Sequence, residues 1–206
     1  MIANPNSWSV VVVGHWNRMI FTPQWVGAQL FQAENIEVQV GFIPAAPAIF
    51  QNQQVAVEIH EKRVDVRARI LNEACLGQVD QIASRLLTAL PNTPLVAVGI
   101  NFGFHEQGAG DALLNMFNIP DGPQIQGAGW EVAERKVVRK LMHDGRTLNL
   151  SLVLQNGVVN FELNFHEDAT TGDAARAVVQ GHVLERYQEA LEMLHQVYGV
   201  ELEAGA

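Results

Sequence analysis

The chain is short of the residues that most often announce a chemistry. Its single cysteine, Cys75, excludes an intramolecular disulfide framework. Cys75 stands at the start of an amphipathic stretch, where a small buried hydrophobe fits better than a reactive thiol. The longest apolar runs, at positions 9–14 and 95–100, have the length of strands and fall far short of the roughly 20 residues of a membrane-spanning helix. Positions 1–6 carry no basic region ahead of an apolar stretch, so no signal peptide is expected and a cytoplasmic location follows by default. Basic residues are also few. With 13 Lys and Arg against 22 Asp and Glu, the net charge of -9 excludes a surface built throughout to neutralise phosphates.

Catalytic signatures are missing too. Ser84 and Ser151 lack the flanking glycines of a nucleophile elbow, and no histidine neighbours Cys75 in the sequence. No phosphate-binding loop occurs, and Gly127-Ala128-Gly129 precedes a strand where a dinucleotide fingerprint would follow one. No cofactor is expected.

What the chain does have is hydrophobic mass and an internal echo. In 206 residues, 48% are hydrophobic and 17% charged, enough for one substantial core or two small ones sharing a sheet. Val11-Val12-Val13-Gly14 is answered by Val96-Ala97-Val98-Gly99. After each comes a short polar segment and a helix-like stretch closing on an apolar pair, Leu30-Phe31 and then Met116-Phe117. A period of roughly 90 residues suits two fused copies of an α+β unit and is too long for a solenoid repeat.

Residues 1–92 and 93–206 then each read as strand, short helix, three strands and long helix. In the first half the strands fall at 8–16, 36–42, 55–59 and 64–68. Thr22-Pro23 starts the short helix with a cap and a proline at its first position. Ile36, Val38, Val40 and Phe42 alternate as a half-buried strand requires. Residues 44–54, with Pro44, Pro47, Ile49 and Phe50, read as a loop. If Glu61-Lys62 is a two-residue turn, Ile59 faces Val64, Val57 faces Val66 and Val55 faces Ala68. Leu76, Val79, Ile82, Ala83, Leu86, Leu87 and Leu90 follow at helical spacing, and Pro91 to Pro94 end the helix.

The second half opens with a strand at 95–105 and a short helix at 110–117, and residues 118–129 form its main insertion. Strands follow at 130–142, 147–155 and 158–166. Asn156-Gly157 predicts a tight hairpin with four apolar pairs: Leu154 with Val159, Leu152 with Phe161, Leu150 with Leu163 and Leu148 with Phe165. Arg139 lies out of pattern on the buried side, which calls for a bulge near Asp144-Gly145 or an acidic partner beyond the sheet. One helix, at about 172–198, ends the fold with Val178, Val179, Val183, Tyr187, Ala190, Leu191, Leu194 and Val197 inward.

The expected class is α+β: a duplicated β-α-β-β-β-α unit making a curved, mainly antiparallel sheet, covered on one face by two long helices. This element order resembles the saddle of the TATA-binding-protein fold, in topology alone. No motif of that family accompanies it, so its DNA-binding role does not follow.

Three functional readings come from the residues. The first is a non-enzymatic cytoplasmic subunit that binds a protein partner or itself, for instance as a homodimer. Its contact candidates are Trp16, Trp25, Ile49 and Phe50. The second is an anionic ligand, nucleic acid included, on the outer sheet face through Arg63, Arg67, Arg69, Arg135, Arg139 and Lys140. The third is a metal-dependent enzyme that starts from Phe104-His105-Glu106, repeated as Phe165-His166-Glu167: imidazole and carboxylate at two strand ends could hold a metal if the fold joined them. That spacing matches no standard metal signature, and the first reading leads. No membrane association is expected.

Overall fold

Two hairpins with apolar facing pairs anchor the sheet, and both take the expected register. Val55–Ile59 and Arg63–Ala68 pair with Ile59 opposite Val64, Val57 opposite Val66 and Val55 opposite Ala68, and the His60 amide donates to the Arg63 carbonyl across the turn at 2.9 Å. Arg146–Gln155 and Val158–Asp168 place Leu154, Leu152, Leu150 and Leu148 opposite Val159, Phe161, Leu163 and Phe165. A slip of one residue would turn each apolar set to the other face.

The computed structural model describes residues 1–4, 7–41 and 46–203. Among them are β1 (Ile2–Ala3), β2 (Ser9–Gly14), α1 (Pro23–Val26), β3 (Glu37–Val40), β4 (Ala48–Gln51), β5 (Val55–Ile59), β6 (Arg63–Ala68), α2 (Glu73–Ala89) and β7 (Leu95–Gln107). There follow α3 (Asp111–Leu114), α4 (Gly122–Gly127), β8 (Glu134–His143), β9 (Arg146–Gln155), β10 (Val158–Asp168), α5 (Gly172–Val179) and α6 (Val183–Tyr198). The fold is α+β, with a curved antiparallel sheet in the order β3-β4-β5-β6-β2-β7-β10-β9-β8, and β1 also on β7.

The helices α2, α5 and α6 lie on one face. Under them a single core runs through both halves of the chain, including Val10, Val12, Val57, Val66, Leu76, Val79, Val98, Phe102, Leu152 and Leu163. Trp8 is its centre. The indole meets Tyr187 of α6 at 4.7 Å between ring centroids and Phe102 and Phe104 of β7 at 6.0 and 5.9 Å, and its Nε1 donates to the Gly103 carbonyl. None of the described helices is long and apolar enough to cross a membrane.

Local chemistry sets the helix ends. Thr22 Oγ1 accepts from the Trp25 amide ahead of α1, which runs on as a π turn to Phe31. Asn72 Oδ1 accepts from the Cys75 amide at the start of α2. Cys75 is buried, its thiol 2.9 Å from the Gln54 carbonyl.

The structure departs from expectation in four places. Residues 48–51 are strand β4 inside the predicted loop, so the first half has four strands after its short helix; Phe50 lies opposite Val57 and is buried. Pro44 and Phe42 lie outside the described residues. β3 is exposed along its length, because it forms the sheet's edge. Asp144-Gly145 is no bulge: both residues have positive φ, 49° and 77°, and make a tight hairpin turn like Asn156-Gly157.

The last helix is broken in two at residues 180–182. Gly181 takes φ 83°, a left-handed value that only glycine adopts readily, and α6 starts again in a new direction. Asp80 of α2 drives the break. Its buried carboxylate accepts from the Gly181 amide at 3.1 and 2.9 Å and from the Val183 amide at 3.3 Å, capping α6 from another helix. Asp80→Ala is expected to lower the unfolding free energy by about 1–3 kcal/mol in a denaturant melt, because it strands buried amides. A variant as stable as the parent would show that the cap contributes nothing.

Candidate functional site

Period-two alternation sends a second set of side chains to the face without helices. There Ser9, Asn101, Asn164 and Asn149 stand in one row across β2, β7, β10 and β9. They form a hydrogen-bonded chain of one direction. Asn149 Nδ2 donates to Asn164 Oδ1 at 3.0 Å, Asn164 Nδ2 to Asn101 Oδ1 at 2.7 Å, and Asn101 Nδ2 to Ser9 Oγ at 3.2 Å. The ladder needs a bare neighbour: a Cβ on Gly99 would stand 2.5 Å from Asn164 Nδ2.

The same face carries a charged cluster on the β5–β6 hairpin. The register places Glu58 directly opposite Asp65, with His60 beside the turn. Arg67 donates to Glu58 Oε2 at 2.6 Å and Arg63 to Asp65 Oδ2 at 3.1 Å. His60 Nε2 lies 3.0 Å from Glu58 Oε1 and 3.6 Å from Asp65 Oδ2, yet it makes no hydrogen bond. The ring nitrogen is therefore not aimed along the line to the nearer oxygen. Asp65 is 8% exposed, and its Oδ1 has no hydrogen-bond partner among the described residues. Burial pushes the Asp65 carboxyl above its ordinary range; Arg63 and His60 oppose this, and the Glu58 charge adds to it. Imidazole and carboxylates are metal-ligand types, and their ligand atoms all lie within 4.8 Å of one another. The alternation and the turn at Glu61-Lys62 were enough to place these three side chains together on one face.

The other metal candidates do not converge. Along β7, His105 faces Asn160 and Gly99 faces His166, so the two histidines are six positions apart, about 20 Å. His166 pairs with Asp168 at 3.3 Å, and Glu106 lies 2.7 Å from the Met1 amino group. Glu167 faces Val98 on the helix-bearing side of the sheet, away from His166. Extended strands hold the two Phe-His-Glu segments at opposite ends of one pairing, so they do not meet as one set of ligands.

The six candidate cations do not share a face either. Arg63 and Arg67 point to the open face but are tied to carboxylates, and the Arg69 guanidinium sits on the Asn52 carbonyl. Lys140 faces Asn149 on the open side, whereas Arg135 and Arg139 face Leu154 and Leu150 on the helix side. The partner of Arg139 is not the expected carboxylate but the Tyr198 hydroxyl, at 3.5 Å. Of the contact candidates, Trp16 and Phe50 are buried, Trp16 donating to the Val12 carbonyl; Trp25 and Ile49 are half-buried. Trp16 and Phe50 serve the core, since each lies under neighbouring apolar side chains.

A scan against protein-family models finds no match, and a search of curated proteins finds no relative. Function has to be read from the surface.

One surface feature went unread in the sequence. β8 is ten residues long and is the last strand of the sheet, paired with β9 on one side and with no strand on the other among the described residues. Val138 and Met142 on its open face are 65% and 63% exposed. On its other face Leu141 and Leu148 join Met193 and Val197 of α6 in a groove of about 400 Å³, with Arg146, Glu189 and Glu192 at its rim. The period-two pattern shows that β8 is a strand; nothing local shows that it is an edge.

Asn164→Ala breaks the amide ladder at its middle and is expected to cost about 1 kcal/mol of stability. Gly99→Ala should cost less in the Asn164→Ala background than in the parent, since the amide that it would strike is gone. Additive costs in a double-mutant cycle would show that the two positions do not touch.

Proposed function

We propose that the protein is a non-enzymatic interaction or assembly subunit whose partner adds a strand to β8. The observation that carries this reading is the length and exposure of that edge. A ten-residue edge leaves a row of N–H and C=O groups unpaired, a template on which an extended segment can build main-chain hydrogen bonds. The opposite edge, β3, has four residues.

We read the two halves as copies of one unit, and the strand order supports this. Outward from the centre the sheet runs β2-β6-β5-β4-β3 on one side and β7-β10-β9-β8 on the other. In each half the first strand is central, the last lies next to it, and the others follow in reverse order. On this reading β8 corresponds to β4, and the place beside it that β3 would fill is open to a partner. The likeness to the TATA-binding-protein saddle rests on the same order and carries no DNA-binding role. Arg63 and Arg67, already neutralised by Asp65 and Glu58, weigh against a phosphate-binding face.

The edge also suggests its partner. Arg135, Lys136, Arg139 and Lys140 make β8 basic within a chain of net charge -9. An acidic strand is complementary. A second copy is not: pairing two β8 strands with both sets of helices on one side sets Lys136 against Lys140 or Arg135 against Arg139. The cytoplasmic setting remains part of this reading on the sequence alone.

The test is affinity capture from the native host with identification of what binds, followed by the Val138→Lys and Lys140→Glu variants. Both substitutions are on an exposed strand face, so melting should change little. Each is expected to lower recovery of the same partner at least about tenfold, which is roughly 1.4 kcal/mol. Undiminished recovery with both variants would remove β8 as the contact.

A further inference from the structure

The hairpin cluster on the open face is unaccounted for by strand addition at β8, which lies at the far side of the sheet. We propose that Glu58, His60 and Asp65 bind one divalent transition-metal ion, with zinc the cation that suits the set.

Four observations converge. The donors are one imidazole nitrogen and two carboxylates, a combination that zinc takes readily and that alkaline-earth sites, made of oxygen alone, do not use. The spacing is compatible: bonds of about 2.0–2.2 Å at tetrahedral angles put neighbouring ligand atoms roughly 3.3–3.6 Å apart, His60 Nε2 is 3.0 Å from Glu58 Oε1, and one ligand atom from each of the three residues lies within 4.8 Å of the other two. His60 Nε2 and Asp65 Oδ1 are both buried polar atoms with no hydrogen bond among the described residues, and the Asp65 side chain is only 11% exposed. A buried polar atom without a partner is costly, and a cation between these groups would satisfy both.

The fourth observation is the role of the two arginines. They do not fill the site; they hold the oxygens around it. Arg67 binds Glu58 Oε2 and Arg63 binds Asp65 Oδ2, leaving Glu58 Oε1 and Asp65 Oδ1 free of guanidinium contacts. Carboxylate ligands held in orientation by outer donors are a regular feature of metal sites. Three protein ligands leave the fourth tetrahedral position to water or to a ligand from outside. The site sits on a rigid two-residue hairpin whose other face is core, with Val57, Ile59, Val64 and Val66 buried beneath it.

The experiment strips the full chain with a chelator and titrates it with Zn²⁺ by calorimetry and by melting, and with Co²⁺ by visible absorption. One Zn²⁺ per chain is expected. Melting should rise by roughly 5–10 °C when free metal is about a hundred times Kd. Co²⁺ should give the visible bands of a four-coordinate site. His60→Ala and Asp65→Asn should each weaken binding by more than the roughly 10–100-fold typical of losing an outer partner. Asp65→Asn keeps the side chain's shape, and its melting temperature in chelator reports whether it folds. His182→Ala removes a different surface histidine–carboxylate pair and should leave the titration unchanged. The proposal is overturned by absence of stoichiometric binding, or by binding that survives in both His60→Ala and Asp65→Asn.

Discussion

The antiparallel joint between β2 and β7 is the constraint on which the rest of the structure depends. It makes one sheet of two halves, and it is formed by the two echoed segments themselves: Val11 lies opposite Gly99 and Val13 opposite Ala97. The inward residues of the joint, Val10, Val12, Val98 and Ile100, are at most 1% exposed and form the floor of the common core. Gly14 ends the pairing at a shift in register. A Cβ there would stand 2.6 Å from the Pro94 carbonyl, which accepts from the His15 amide instead. With either half alone, a valine-rich central strand would become a bare edge.

Everything laid over that joint serves to close its helix-bearing face. Trp8 fills the middle from below, Tyr187 meets it from α6, and Asp80 ties α2 to the break between α5 and α6. The break has a use in packing. A single straight helix over residues 172–198 could follow only one line across a twisted sheet, whereas two helices joined at Gly181 can change direction over it. The open face is finished with polar side chains in registered rows. Hydrogen bonds link polar side chains across four strands, and ion pairs tie Arg63 and Arg67 to carboxylates on the β5–β6 hairpin, so its basic residues do not add up to one charged surface.

The two sides of the sheet end differently, and the proposed function follows from that asymmetry. β3 closes one side with a short exposed strand, while β8 ends the other with a long one. On that proposal the basic side chains of β8 discourage pairing with a copy of itself and favour an acidic strand, so that the same charges would act against aggregation and for selection. The metal proposal is independent of this edge, because the hairpin that carries it lies across the joint on the other half of the sheet.

Apolar alternation and turn chemistry were legible in the sequence because they act between neighbours. The β5–β6 and β9–β10 registers came out residue by residue, since any other register would put valine or leucine into water. The inward face of α2 came from 3.6-residue spacing. β4 was not legible: its four residues alternate too briefly, among prolines and amides, to stand out from a loop, and only pairing with β3 and β5 makes them a strand. The same holds for Asp80, whose partners are 101 and 103 residues away. The chain thus determined by itself the two apolar hairpins, the long helix α2 and which side of each is apolar, because those depend on local geometry and on water. Tertiary structure alone decided that the echoed segments pair with each other, that β8 is an edge, that the Phe-His-Glu repeats lie apart and that Glu58, His60 and Asp65 are held among buried neighbours, because each depends on contacts between residues that the sequence keeps distant.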